Sequence, residues 1–197
     1  MKLWKIGKEE LGEDKLAERT AKARSRYNGG VSLTIRDFQP ADFDTLWRID
    51  QTCFPPGISY SRAELRLYMR RRGAFTLVAV NEAAGSLLGN KRESASEGAD
   101  RSIAGFLVAE AGARARGHVI TIDVVASARR LGVGSLLLRS SEDRLISAGC
   151  RIVELETAVD NLSALSFYKR HGYSVTKTFP RYYSNGVDAL VLEKTLI

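Results

Sequence analysis

The run Arg129-Arg130-Leu131-Gly132-Val133-Gly134-Ser135 places two arginines and two glycines between an apolar stretch ending at Val125 and another beginning at Leu136. An anion is the ligand that such a run could hold. The arginines supply charge, and the glycines let the chain turn tightly enough to aim the unpaired amides of a helix's first turn at a phosphate. Two other phosphate loops are excluded by spacing. A dinucleotide fingerprint needs a third glycine where Leu137 stands, and a nucleotide P-loop needs a lysine after its last glycine, where Ser135 stands. Further along, Glu154 and Glu156 lie two apart on one strand and so share a side of it. Either could serve as a general base, and spacing does not choose between them. Asn161 and Tyr168 differ by seven and share a helix face. His118, at a strand start, and His171, before a helix-ending glycine, have weaker claims.

The elements that must position these groups follow from periodicity. Val31 to Phe38 reads as a first strand, and Phe43, Leu46, Trp47 and Cys53 recur near helical spacing. Phe54-Pro55-Pro56-Gly57-Ile58-Ser59-Tyr60 must break that helix. Ser61 and Glu64 have capping-box spacing for a second helix, whose Leu65, Tyr68 and Met69 share a face. Ala74–Val80 and Ile103–Glu110 read as a hairpin pair separated by a Gly/Ser-rich, charged surface insertion, residues 81 to 102. The strand His118–Val125 leads through the glycine run into a helix whose Val133, Leu136, Leu137, Leu145 and Ala148 should face inward and which should end at Gly149. A strand over Cys150–Ala158, a helix stopped by Gly172 and two last strands complete the order. Asn185-Gly186 is a turn signal that would put Tyr182 and Tyr183 on one hairpin arm. The class is α/β (α+β): a mixed, mostly antiparallel sheet with flanking helices around a central strand–helix–strand unit. Residues 1–30 form a polar extension and 31–197 the domain.

Composition bounds the function. With 197 residues and two isolated cysteines, the chain needs no disulfide or metal, and a reducing cytoplasm is the expected setting. No apolar run approaches the ~20 residues of a membrane span. The net charge of +7 suits a polyanionic ligand or a ribosomal setting. Its basic clusters, Lys22–Arg26 and Arg70–Arg72, lack the interleaved aromatics of RNA-stacking surfaces, which argues against direct nucleic-acid binding.

Arg129 to Gly134 together with Asp160-Asn161 through His171-Gly172-Tyr173 resembles the GCN5-related N-acetyltransferase superfamily over roughly Val31 to Ile197. The resemblance implies the corresponding fold and acetyl-coenzyme A as donor, with no metal. The pantetheine would run beside Ile122, Asp123 and Val124, and the pyrophosphate would lie on Arg129, Arg130, Leu131, Gly132, Val133, Gly134 and Ser135. Within the superfamily the chain is most similar to N-terminal protein acetyltransferases of the ribosomal-protein-alanine type. That similarity favours Glu156 over Glu154 as base and implies Tyr168 as the acid, with Asn161 on the coenzyme. It also implies that Phe54, Pro55, Tyr182 and Tyr183 grip the first residues of a protein or peptide N-terminus, a ribosomal protein being one candidate. Ala158 stands where the family carries arginine, and the first loop lacks a Pro-Trp pair, so the acceptor is not inherited with the fold. Two other readings stay open: a small amine, polyamine or lysine acceptor, and a ribosome- or RNA-docking module with a vestigial acetyl site. The paired tyrosines argue against the first; intact Arg130, Gly132, Gly134, Glu156, Asn161 and Tyr168 argue against the second.

Overall fold

A computed structural model describes residues 24–26, 32–81 and 103–196. The expected insertion lies outside these residues apart from its first, as does most of the expected extension. The elements are β1 (Arg24–Arg26), β2 (Ser32–Asp37), α1 (Phe43–Cys53), α2 (Arg62–Met69), β3 (Ala74–Asn81), β4 (Ile103–Ala111), β5 (Arg116–Val124), α3 (Val133–Ser147), β6 (Ile152–Ala158), α4 (Leu162–Arg170), β7 (Ser174–Phe179) and β8 (Ala189–Thr195). Among the described residues they form one sheet in the order β1-β2-β3-β4-β5-β6-β8-β7. Every neighbouring pair is antiparallel except β5 and β6, which are parallel and joined by the crossover helix α3. β1 lies in the stretch read as an extension, so the sheet begins there.

Helices cover both faces, which explains why β4 is buried almost throughout and reads as a continuous apolar run. Leu77, Ala79, Leu107 and Ala109 pack with Val133, Leu137, Leu138 and Leu145 of α3. Val78, Phe106 and Val108 pack with Phe43, Leu46 and Ile49 of α1 and Leu65 of α2. The buried stripe of α3 differs from the expected one in two places. Ala148 is the exposed C-cap and Leu136 only half-buried, while Leu138, Ser141 and Glu142 turn inward. Glu142 can be buried because Tyr173 and Lys194 both donate to it, at 3.0 and 2.7 Å. Gly149, at φ 85°, closes α3 as expected, with the amide of Cys150 returning to the carbonyl of Leu145. The capping box of Ser61 and Glu64 is formed in both directions.

One irregularity governs the site. β4 and β5 pair Val108 with Thr121 and Ala109 with Val119, leaving Ile120 as an extra residue in β5. Before it, Val119 faces the α3 layer; after it, Ile122 and Val124 do, while Ile120 joins the α1 layer. Thr121 and Asp123 therefore also face α1. The hydrogen-bonded pairing of β5 with β6 ends at Val119 opposite Leu155, and the two strands then part.

Candidate active site

The donor end is built where β5 and β6 separate. From Ile120 to Val124 the β6-facing edge of β5 has no strand partner, and such an edge accepts an extended ligand through backbone hydrogen bonds. Ile122 and Val124 present half-buried apolar side chains there, but the side chain of Asp123 is buried on the α1 side, so this residue can offer a ligand only its backbone. The loop that follows rises to α3. Gly132 is its N-cap, in the left-handed region at φ 81°, and no side chain caps the helix. The first intrahelical bond comes from Leu136 to the carbonyl of Gly132, so the first-turn amides, through Ser135, are available for an anion. A pyrophosphate fits this geometry.

Side chains in the loop divide the work differently from expectation. Arg130, itself at φ 65°, is exposed beside the open amides. Arg129 instead turns back, donating through Nε to the carbonyl of Val124 at 3.1 Å and reaching Cys53 Sγ at 3.8 Å. Val133 is buried in the core, and Leu131 is exposed. Asn161 is the N-cap of α4: its side-chain oxygen accepts from the amide of Ala164 at 3.2 Å and from Ser163 Oγ at 3.1 Å, so only its amide nitrogen is left for a ligand. Tyr168 is buried from α4 against Phe167 and Tyr173. Burial above all holds its phenol well above the ordinary range, so it keeps its proton at neutral pH.

The two glutamates expected as base candidates lie on the α1–α2 side of the same gap. Glu154 and Glu156 share a side, as expected, and their partners distinguish them. Arg116 Nη2 bonds both Glu154 and Glu193 at 2.6 Å, which binds Glu154 into an ion-pair cluster at the far end of the paired strands. Glu156, at the parting point, meets His118 Nε2 at 2.7 Å. Glu110 lies 3.9 Å from His118 Nδ1 and pairs in turn with Arg71 at 3.5 Å. Burial alone would lower His118, but the two carboxylates raise it to about 9, so it is an imidazolium at neutral pH. His118 is the functional candidate that sequence reasoning underrated. The available signal was its i,i+2 spacing from Arg116, matched by Glu154 and Glu156 on the other strand of the same crossover.

Tyrosines from two loops lie near this pair. Tyr60 packs on Tyr68 with centroids 5.1 Å apart and donates to the carbonyl of Ile120 at 3.3 Å. Tyr182 and Tyr183 make an edge contact at 5.1 Å, and Tyr182 stacks on Phe179. Burial raises the phenol of Tyr182 to about 12, with Glu156 adding to the rise, and it moves Tyr183 in the same direction. These two residues sit in the loop between β7 and β8 and not on a hairpin arm, because β7 stops at Phe179 and β8 begins only at Ala189. The Asn185-Gly186 turn is formed inside that loop, closed by the amide of Tyr183 bonding the carbonyl of Val187. Ser184 Oγ reaches across to the carbonyl of Gly57 at 3.0 Å, tying this loop to the one containing Phe54 and Pro55. Phe54 is half-buried and Pro55 exposed.

The chain is 39% identical over 79 residues to an uncharacterised N-acetyltransferase of Methanocaldococcus jannaschii, covering 40% of this chain and 51% of that protein. It is 38% identical over 78 residues to N-alpha-acetyltransferase 30 of Schizosaccharomyces pombe, covering 40% and 52%. The chain thus matches about half the length of these curated relatives. The structure superposes on Ard1 from Thermoplasma volcanium with a TM-score of 0.68 and 26% identity, over 84% of this chain and 98% of that one. Residues 43–173, from the first residue of α1 through α4, match the acetyltransferase (GNAT) family, and the chain belongs to that family.

Proposed function

We propose that this protein transfers the acetyl group of acetyl-coenzyme A to the α-amine of a protein or peptide N-terminus, by direct attack within a ternary complex. The observation that carries the reading is the Glu156–His118 pair at the point where β5 leaves β6, with tyrosines nearby on two loops tied together through Ser184 and Gly57. The paired tyrosines and the likeness to N-alpha-acetyltransferase 30 of Schizosaccharomyces pombe support a chain terminus over a lysine in mid-chain.

An α-amine with a pKa near 8 is roughly a tenth neutral at pH 7, so a base removes a proton that solvent would remove less often. Glu156 takes that proton directly or through a water, and the imidazolium of His118 fixes its carboxylate in place. Tyr168 delivers a proton to the departing thiolate sulfur. The backbone of Ile122, Asp123 and Val124 lines the pantetheine, and the amides of Gly132 to Ser135, with Arg130, hold the pyrophosphate. When bound, acetyl-coenzyme A supplies the activated acyl group. Phe54, Pro55, Tyr182 and Tyr183 form the acceptor walls. Two free thiols, Cys53 and Cys150, support a reducing, cytoplasmic setting.

The test is release of free thiol from acetyl-coenzyme A over peptides with free or blocked α-amines, lysine peptides and polyamines. Turnover confined to free α-amines is expected. Turnover of the α-blocked lysine peptides or polyamines alone would give the acceptor role to side-chain or small amines. No turnover with any amine would remove the activity.

A further inference from the structure

The reaction above leaves two buried carboxyls without a role. Asp50 of α1 is 0% exposed and Asp123 of β5 is 1% exposed. Each has one satisfied oxygen and one orphan. Asp50 Oδ2 accepts from the amide of Tyr60 at 2.9 Å and from Gln51 Nε2 at 2.8 Å, and Asp123 Oδ2 accepts from Thr121 Oγ1 at 2.7 Å. The Oδ1 atoms of both have no partner. Two orphaned carboxylate oxygens in one dry layer are costly unless a proton occupies one of them.

The surroundings supply little compensating charge. Asp123 feels the charge of Asp50 and lies by the Cys53 thiol, both from α1, and feels Arg129 from the loop before α3; from α4, Tyr168 senses Asp123 in turn. Asp50 additionally feels Glu64 of α2. Burial raises Asp50 to about 6, and burial together with Asp50 raises Asp123 to about 8. Asp123 is therefore largely a neutral acid at pH 7.

The two carboxyls also join the two halves of the site. Asp50 holds Tyr60, the last residue of the acceptor loop, while Asp123 lies between Ile122 and Val124 of the donor edge. Trp47 Nε1 and Gln51 Nε2 both donate to the carbonyl of Tyr60, at 3.2 and 2.8 Å. We propose that Asp50 and Asp123 are positioning residues of the acceptor site: while Asp123 keeps its proton they hold the Phe54–Tyr60 loop against β5, and loss of that proton releases it. The kinetic part of this inference rests on the acetyl-transfer reading; the loop movement does not.

The experiment uses the full chain carrying Trp4→Phe, so that Trp47, bonded to the loop, is its single tryptophan. Its fluorescence is followed from pH 6 to pH 10. The parent should show a transition centred near 8, and Asp123→Asn, which cannot ionise, should show none. Asp50→Asn removes the neighbouring negative charge and should move the transition to lower pH, which keeps a test in hand should Asp123→Asn fold poorly. In turnover assays the parent's peptide KM should rise at least about fivefold across the transition while the acetyl-coenzyme A KM stays within about twofold, and Asp123→Asn should flatten the peptide curve. A parent with no fluorescence transition, or an Asp123→Asn protein that retains it, overturns the proposal whether or not the protein acetylates anything. A normal transition with no turnover on any amine would overturn the activity and leave the loop clamp standing.

Discussion

Gly132 and Gly134 stand one residue apart in the phosphate loop, yet the structure assigns them opposite sensitivities to the same substitution. Gly132 holds φ 81° and ψ 0° at the N-cap of α3. An alanine in that left-handed conformation costs about 1–2 kcal/mol. At about 2–4 °C per kcal/mol for a chain of this size, Gly132→Ala should lower Tm by about 2–8 °C. Relief of the strain would rotate the amides that face the pyrophosphate, so acetyl-coenzyme A affinity should fall by about tenfold or more, equivalent to about 1.4 kcal/mol. Gly134 lies inside α3. A Cβ added there would meet Phe167 Cε2 and Cζ at 3.5 Å and Val124 Cγ2 at 3.8 Å, which is ordinary contact. Alanine is favoured over glycine within a helix by up to about 1 kcal/mol. Gly134→Ala should therefore leave Tm equal or raise it by up to about 4 °C, and keep the acetyl-coenzyme A Kd within about threefold. Thermal unfolding of the free protein and calorimetric titration with acetyl-coenzyme A measure both quantities. Equal losses of affinity in the two variants would refute the reasoning, because they would mean that backbone conformation is not what separates the two glycines.

Three further outcomes are expected. Tyr168→Phe should lower kcat by roughly 10²-fold while acetyl-coenzyme A binding measured by titration is retained, the signature of a lost acid; unchanged turnover would make the phenol a packing group. His118 is raised to about 9 in the folded chain against 6.5 as a free group, so its stabilising contribution is complete below about 6.5 and lost as pH rises through 9. Thermal unfolding of His118→Asn across pH 6 to 10 should lack that decline. Arg114 and Ala115 occupy φ 57° and 56° in the β4–β5 hairpin, with the amide of Arg116 returning to the carbonyl of Ala113. Ala115→Gly should relieve about 1 kcal/mol and raise Tm by about 2–4 °C, with turnover unchanged.

Elements with a simple period were legible in the sequence. The capping box of Ser61 and Glu64, the glycine ending α3, the glycine run rising to a helix and the loop at Pro55-Pro56 all follow from local chemistry, and local chemistry is what a single chain displays. Contacts that depend on register were not. His118 looked like an isolated strand residue because its partner lies on β6, 38 positions away, and becomes adjacent only once β5 and β6 pair in parallel. The burial of the Asp123 side chain on the α1 side was not legible because simple alternation does not anticipate the added residue at Ile120. Asn161 shows the reverse case, since a residue read as a ligand contact also satisfies an ordinary helix terminus. Tyr182 and Tyr183 were read onto a hairpin arm and lie instead in the loop formed by the nine residues between the strands.

The added residue at Ile120 sets the parity of β5. Upstream of it odd-numbered side chains face α3; downstream, even-numbered ones do. Deleting Ile120 itself would leave Val119 opposite Ala109 and Thr121 opposite Val108, so every later face would stand, whereas deleting Ile122 would send Asp123 toward α3 and Val124 toward α1. Point substitutions in this strand alter one contact at a time, whereas a change in its length beyond the bulge would turn every later residue over together. Length is thus the more tightly constrained property of the segment after Ile120, and a scan of one-residue deletions along β5 should show tolerance at Ile120 and its loss at Ile122 and Asp123.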